Sequence, residues 1–157
     1  MAFLVIAFTV VFTACNSDPC KNLICKNNGI CRDGRCKCAS GYEGPNCSTR
    51  MYEKFIGTWD GSFRCNGSEP EIITNIIAPG DKPNEIQIYD IFIQGVSIKG
   101  IVEVDKVNIE AQTFGDFTYS GNGYIEGKYI TLYITKKDNT NQNLFSCVYN
   151  ATKFVQP

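Results

Sequence analysis

The sequence predicts a mainly β protein, in which a small disulfide-rich module precedes an eight-stranded antiparallel up-and-down barrel, with a β-sandwich as the alternative closure. Three observations carry this. Six cysteines crowd between positions 20 and 47, in a stretch poor in aliphatic residues. From about position 52 to 157, β-branched and aromatic residues alternate with polar ones at period two, without a long helical period. Connections as short as Asp105-Lys106 and Gly127-Lys128 make sequence neighbours antiparallel partners.

The N-terminal run Ala2–Ala14 is almost entirely apolar and stops at Cys15, before Asn16-Ser17-Asp18. It is shorter than the roughly 20 apolar residues a spanning helix needs, and it has the length of a signal-peptide core. Phe12-Thr13-Ala14-Cys15 resembles a bacterial lipobox, with Phe12 where an aliphatic residue is usual. The resemblance implies a signal peptide over 1–14, lipidation of Cys15 and a short anchor linker over 15–19. Parity supports it. Nine cysteines are present, and removing Cys15 leaves eight that can pair. So many cysteines in a short chain point to an oxidising compartment.

The module reads Cys20-x4-Cys25-x5-Cys31-x4-Cys36-x-Cys38-x8-Cys47. Six cysteines allow fifteen pairings, and spacing alone does not choose among them. Cys36-Lys-Cys38-Ala-Ser-Gly41-Tyr42, with Cys47 beyond, resembles the EGF-like signature. That resemblance implies the bridges Cys20–Cys31, Cys25–Cys36 and Cys38–Cys47, and an EGF-like module over 20–47. Such a segment is too small to bury a core, so loop closure takes over that role. Asn27-Asn28-Gly29 and Asp33-Gly34 supply turn residues. Calcium-binding members of the family carry acidic residues before the first cysteine and an Asx-plus-aromatic pattern later. Here only Asp18 precedes Cys20, and Cys36 stands where Asp33 would need the aromatic, so no calcium is expected.

Eight strands are expected at 54–65, 70–77, 85–93, 96–104, 107–113, 116–126, 129–136 and 144–154. Within them Val107, Ile109 and Ala111 share one face; Val96, Ile98, Val102 and Val104 share another; so do Ile130, Leu132 and Ile134. A meander of this length closes most simply as a barrel. In a closed even-stranded barrel the first and last strands are antiparallel neighbours, and they carry the remaining cysteines, Cys65 and Cys147. Pairing those two also sets Trp59 opposite Lys153, six residues along each strand, with the lysine positioned over the indole. Gly57-x-Trp59 on the first strand resembles the lipocalin and calycin signature. In that family the tryptophan closes the barrel floor under a basic side chain from the last strand.

Net charge is −1, with fifteen basic residues scattered among sixteen acidic ones, so no nucleic-acid face is expected. Histidine is absent, which removes the commonest general base and metal ligand. Asp60, Asp90, Asp116 and Glu126 are the carboxylates nearest to inward strand positions, but no nucleophile, phosphate loop or metal-ligand spacing accompanies them. No catalytic residues, metal or cofactor are therefore expected. If the barrel is hollow, Phe117, Tyr119 and Tyr149 line a site for an apolar ligand; otherwise they fill the core. The expected function is that of a non-enzymatic, lipid-anchored envelope or surface protein. Its EGF-like stalk presents a barrel that binds a small hydrophobic ligand or a partner. The alternative is a secreted interaction module with a filled β domain.

Overall fold

The computed structural model describes residues 18–91 and 95–154. The apolar leader and Cys15 lie outside the described residues. The N-terminal module holds two short hairpins, β1 (Ile30–Arg32) with β2 (Arg35–Lys37) and β3 (Tyr42–Glu43) with β4 (Thr49–Arg50). Asp33 and Gly34 both adopt positive φ, at 48° and 74°, and reverse the chain between β1 and β2. Three disulfides, Cys20–Cys31, Cys25–Cys36 and Cys38–Cys47, tie the module together. Buried side chains are nearly absent from it apart from Cys47, so covalent closure carries its order.

Eight further strands follow: β5 (Gly57–Cys65), β6 (Glu71–Pro79), β7 (Glu85–Tyr89), β8 (Ser97–Glu103), β9 (Lys106–Phe114), β10 (Phe117–Glu126), β11 (Tyr129–Asp138) and β12 (Leu144–Lys153). Each pairs antiparallel with its sequence neighbour, and β12 returns to β5, so the sheet is a closed barrel and not a sandwich. The period-two alternation aims Ile130, Leu132 and Ile134 inward on β11, and Ile98 and Val102 on β8. These join Trp59, Ile77, Ile86, Ile88, Val107, Ile109, Tyr119 and Tyr149 in one core.

Besides shifts of one or two residues at strand ends, such as β6 running to Pro79 and β11 to Asp138, the structure departs from the sequence reading in four places. Residues 51–54 form a 3-10 turn (Met51–Lys54), so β5 starts at Gly57 rather than at 54. Strand β7 stops at Tyr89 instead of reaching 93, because Asp90 turns to φ 55° and its carboxylate accepts a bond from the Gly95 N–H. Val104 is a turn residue at φ 53° and is exposed, so Gly100 takes the third inward place on β8 beside Ile98 and Val102. The pairing of β9 with β10 shifts between Tyr119 and Gly121. That bulge turns Ala111 out to solvent and gives Gln112 the place opposite Tyr119.

The bulge has a second effect. Strands β8 and β9 are paired only from Ile101↔Asn108 to Glu103↔Lys106, although both strands continue. Beyond that point the Gln112 side chain spans the gap. The Lys99 N–H donates to Gln112 Oε1 at 2.9 Å, and Gln112 Nε2 donates to the Lys99 carbonyl at 2.8 Å. One side-chain amide thus replaces a rung of the ladder.

Candidate functional site

One end of the barrel is stoppered. Tyr52 in the 3-10 turn and Phe55 just after it are buried against Trp59, which is 0 % exposed. The indole Nε1 donates to the Phe55 carbonyl at 2.8 Å, and the Tyr149 hydroxyl donates to the Trp59 carbonyl at 2.9 Å. The paired strands place Cys147 opposite Cys65 and Lys153 opposite Trp59. Lys153 Nζ lies 5.6 Å from the indole centroid and donates to the Lys54 carbonyl at 3.0 Å, which ties the last strand to the stopper. Gly57, at φ 140°, leaves room for this lysine, since a Cβ there would meet Lys153 Cε at 3.0 Å. This gives the Gly57-x-Trp59 spacing a steric reason. Burial holds the Lys153 ammonium below its ordinary pKa. Burial, assisted by the Asp60 charge, pushes the Tyr149 phenol well above its own.

At the other end, Cys65 is bridged to Cys147. Phe63, Phe114 and Phe117 are partly buried there against the core. Phe117 and Phe114 pack tilted on Tyr119, with centroids 6.5 and 6.2 Å away, and Lys136 Nζ lies 3.9 Å over the Phe117 ring. Tyr119 and Tyr149 are 1 % and 0 % exposed, so both are core residues, while Phe117 reaches the rim. Asn75, also buried inside the barrel, donates to the Tyr89 carbonyl at 2.7 Å, but its Oδ1 has no partner among the described residues. Asp60, Asp90, Asp116 and Glu126 are all exposed. Asp60 accepts a bond from the Thr74 hydroxyl, and Asp90 holds its own turn. Among the described residues no group of three or more histidine, cysteine or acidic side chains could hold a metal ion.

The notable concavities described lie on the outside of the barrel. A groove of about 580 Å3 runs over β8, β9 and β10 between Ile101, Asn108 and Tyr124. It continues at Ile101, Asn108 and Glu110 into a second of about 350 Å3 beside Lys99 and Gln112. A third, of about 510 Å3, lies over β5, β11 and β12 between Ile72 and Tyr129. Tyr124, Tyr129, Tyr133, Ile72 and Ile76 stand exposed on this outer wall.

The N-terminal module is seated on the stoppered end. Gly41 is buried at φ 88°, and a Cβ there would lie 2.8 Å from Pro83 Cβ in the β6–β7 loop. Its carbonyl accepts the Met51 N–H, which opens the 3-10 turn. Lys54 then links both parts, binding Glu43 of the module at 3.1 Å and Asp105 of the β8–β9 turn at 2.8 Å. Burial opposes the Lys54 charge, but the bonds to Asp105 and Glu43 outweigh it and raise the pKa. Sequence reasoning missed Lys54, Gln112 and Asn75. Only the Tyr52 and Phe55 spacing, one 3-10 turn apart, hinted at the stopper.

Residues 20–50 match the family described as a Teneurin-like EGF domain. Among solved structures, the chain is similar to a redesigned β-barrel at 12 % identity, covering 69 % of this chain and 98 % of that one, with a TM-score of 0.47. It is also similar to a protein of unknown function from the DUF3598 family of Nostoc punctiforme at 8 % identity, covering 64 % of this chain and 48 % of that one, with a TM-score of 0.43. An EGF-like domain with its disulfides, joined to a closed and bridged barrel, has the make-up of an exported, extracellular interaction module.

Proposed function

We propose that this chain is a non-enzymatic, lipid-anchored surface protein, held by Cys15, that binds a protein partner on the outer wall of its barrel. The observation that carries this reading is the filling of the interior: Trp59, Tyr119 and Tyr149 occupy it at 0–1 % exposure, and the 3-10 turn stoppers one end. Concavities and exposed tyrosines lie instead on the outside, where aromatic side chains commonly anchor protein contacts. Cys15 as the anchor follows from the lipobox resemblance and from the pairing of the other eight cysteines.

A second reading, a small hydrophobic ligand at the Cys65–Cys147 end, is favoured by one set of observations. Phe63, Phe114 and Phe117 remain partly buried there, and Asn75 Oδ1 is unpartnered inside. Native mass spectrometry on the mature chain, with a hydrophobic-dye titration, separates the two. The partner reading expects an apo mass and no saturable dye site. A co-purifying ligand, or dye binding abolished by Phe117→Ser, would replace it with the second reading. Intact mass of the membrane fraction tests the anchor, since an unmodified Cys15 removes it.

A further inference from the structure

The two parts of the chain carry opposite charge. Residues 18–50 hold six basic side chains (Lys21, Lys26, Arg32, Arg35, Lys37, Arg50) against Asp18, Asp33 and Glu43, a net of +3. Residues 51–157 hold nine basic and thirteen acidic ones, a net of −4. Half of these basic side chains, Arg32, Arg35 and Lys37, lie on one hairpin, whose turn carries Asp33. In the β1–β2 register, Ile30 lies opposite Lys37 and Arg32 opposite Arg35, so these four side chains share one face. All four are exposed. Cys31 and Cys36 occupy the other face and bridge back to Cys20 and Cys25, which fixes the hairpin from behind.

Like charges directly opposite each other destabilise a strand pair. Arg32 and Arg35 are such a pair, and no ion pair among the described residues includes them, Lys37, Lys21 or Lys26. The repulsion falls away when an anionic surface lies against the face. Ile30, at 50 % exposure on the same face, adds apolar contact. Cys20 is five positions beyond Cys15, a reach of at most about 18 Å when extended.

We infer that the β1–β2 face docks on the anionic lipid headgroups of the anchoring membrane, with Arg32, Arg35 and Lys37 against phosphate and Ile30 at the headgroup boundary. This deepens the proposed function and rests on it for the identity of the membrane. Docking gives a lipid-anchored chain its second point of attachment, as stable membrane binding generally needs two signals.

The test uses the mature chain carrying Cys15→Ser, so that lipid does not mask the effect, with vesicles of phosphatidylcholine alone or with phosphatidylglycerol at about three parts in ten. Co-sedimentation should occur only with the anionic vesicles and should weaken as salt rises. Combined Arg32→Gln, Arg35→Gln and Lys37→Gln should weaken binding by about fivefold per charge, on the order of 100-fold in all. Lys128→Gln, a cation on the barrel surface, should leave binding unchanged. Equal binding to both vesicle types, no binding, or an unaffected triple variant would overturn the inference. So would salt-sensitive self-association without vesicle binding, which would make the acidic barrel of a second copy the occupant. Vesicle binding with an unmodified Cys15 in the native protein would leave the docking face standing and remove only the anchor.

Discussion

Removing the Cys65–Cys147 bridge probes how the barrel is held shut. These cysteines join β5 to β12, neighbours in the ring but separated by 82 residues along the chain. The two strands are therefore the most expensive pair to bring together from the unfolded state. For a loop of that length, chain entropy gives a stabilisation of about 4.5 kcal/mol. The double substitution Cys65→Ala with Cys147→Ala removes it while leaving the three module bridges intact. For a barrel of this size the loss corresponds to a fall in Tm of roughly 20 °C or more. Urea unfolding followed by Trp59 fluorescence measures it, and the lone tryptophan sits at the stoppered end, away from the bridge. The slope m should also rise, because the uncrosslinked chain exposes more surface when unfolded. A stability change below about 1 kcal/mol with m unchanged would refute the reasoning. The unfolded chain would then already hold its ends together, and the bridge would not govern closure.

Tyr149→Phe should flatten the alkaline limb of the stability curve. The buried phenol titrates above its unfolded value of 10.0, so the unfolded chain loses its proton first and stability falls as pH rises past that point. Unfolding midpoints between pH 9 and 11 check this; an identical slope in the variant would exclude Tyr149 as its source. Gln112→Ala hands the exposed Lys99 N–H and carbonyl to water and should cost about 0.5–1.5 kcal/mol. Amide exchange at Lys99 should accelerate while exchange on β11 keeps its protection. Gly61→Ala should destabilise by about 1–3 kcal/mol, because the added Cβ would press on the Asn150 carbonyl and come within 2.5 Å of Ala151 Cβ. Thermal melts of the full chain measure it.

Much of the fold was legible because period-two patterning and short turns are local signals. The closure was legible for a less local reason. Cys65 and Cys147 announce a contact, and the rigid antiparallel register then carries Lys153 to Trp59 without further information. What escaped depends on single-residue irregularities. Ala111 and Gln112 exchange roles because one bulge shifts the alternation, and a polar residue then finds backbone partners on another strand. Met51–Lys54 escaped because a single 3-10 turn is too short to set a period. Lys54 and Asp105 are 51 positions apart in sequence and are joined only by the packing of two turns.

Seating the module on the stoppered end gives the molecule a direction. The turns beside Lys54, Pro83 and Asp105 are occupied by the module, whereas the opposite rim of residues 66–70, 115–116 and 139–143 is clear of it. Strands of nine or ten residues put that rim about 25 Å further out along the barrel axis. Lys54, bridging Glu43 and Asp105, opposes swinging of the barrel on the module. Whatever approaches along the barrel axis from the side opposite the module therefore meets the Cys65–Cys147 rim first.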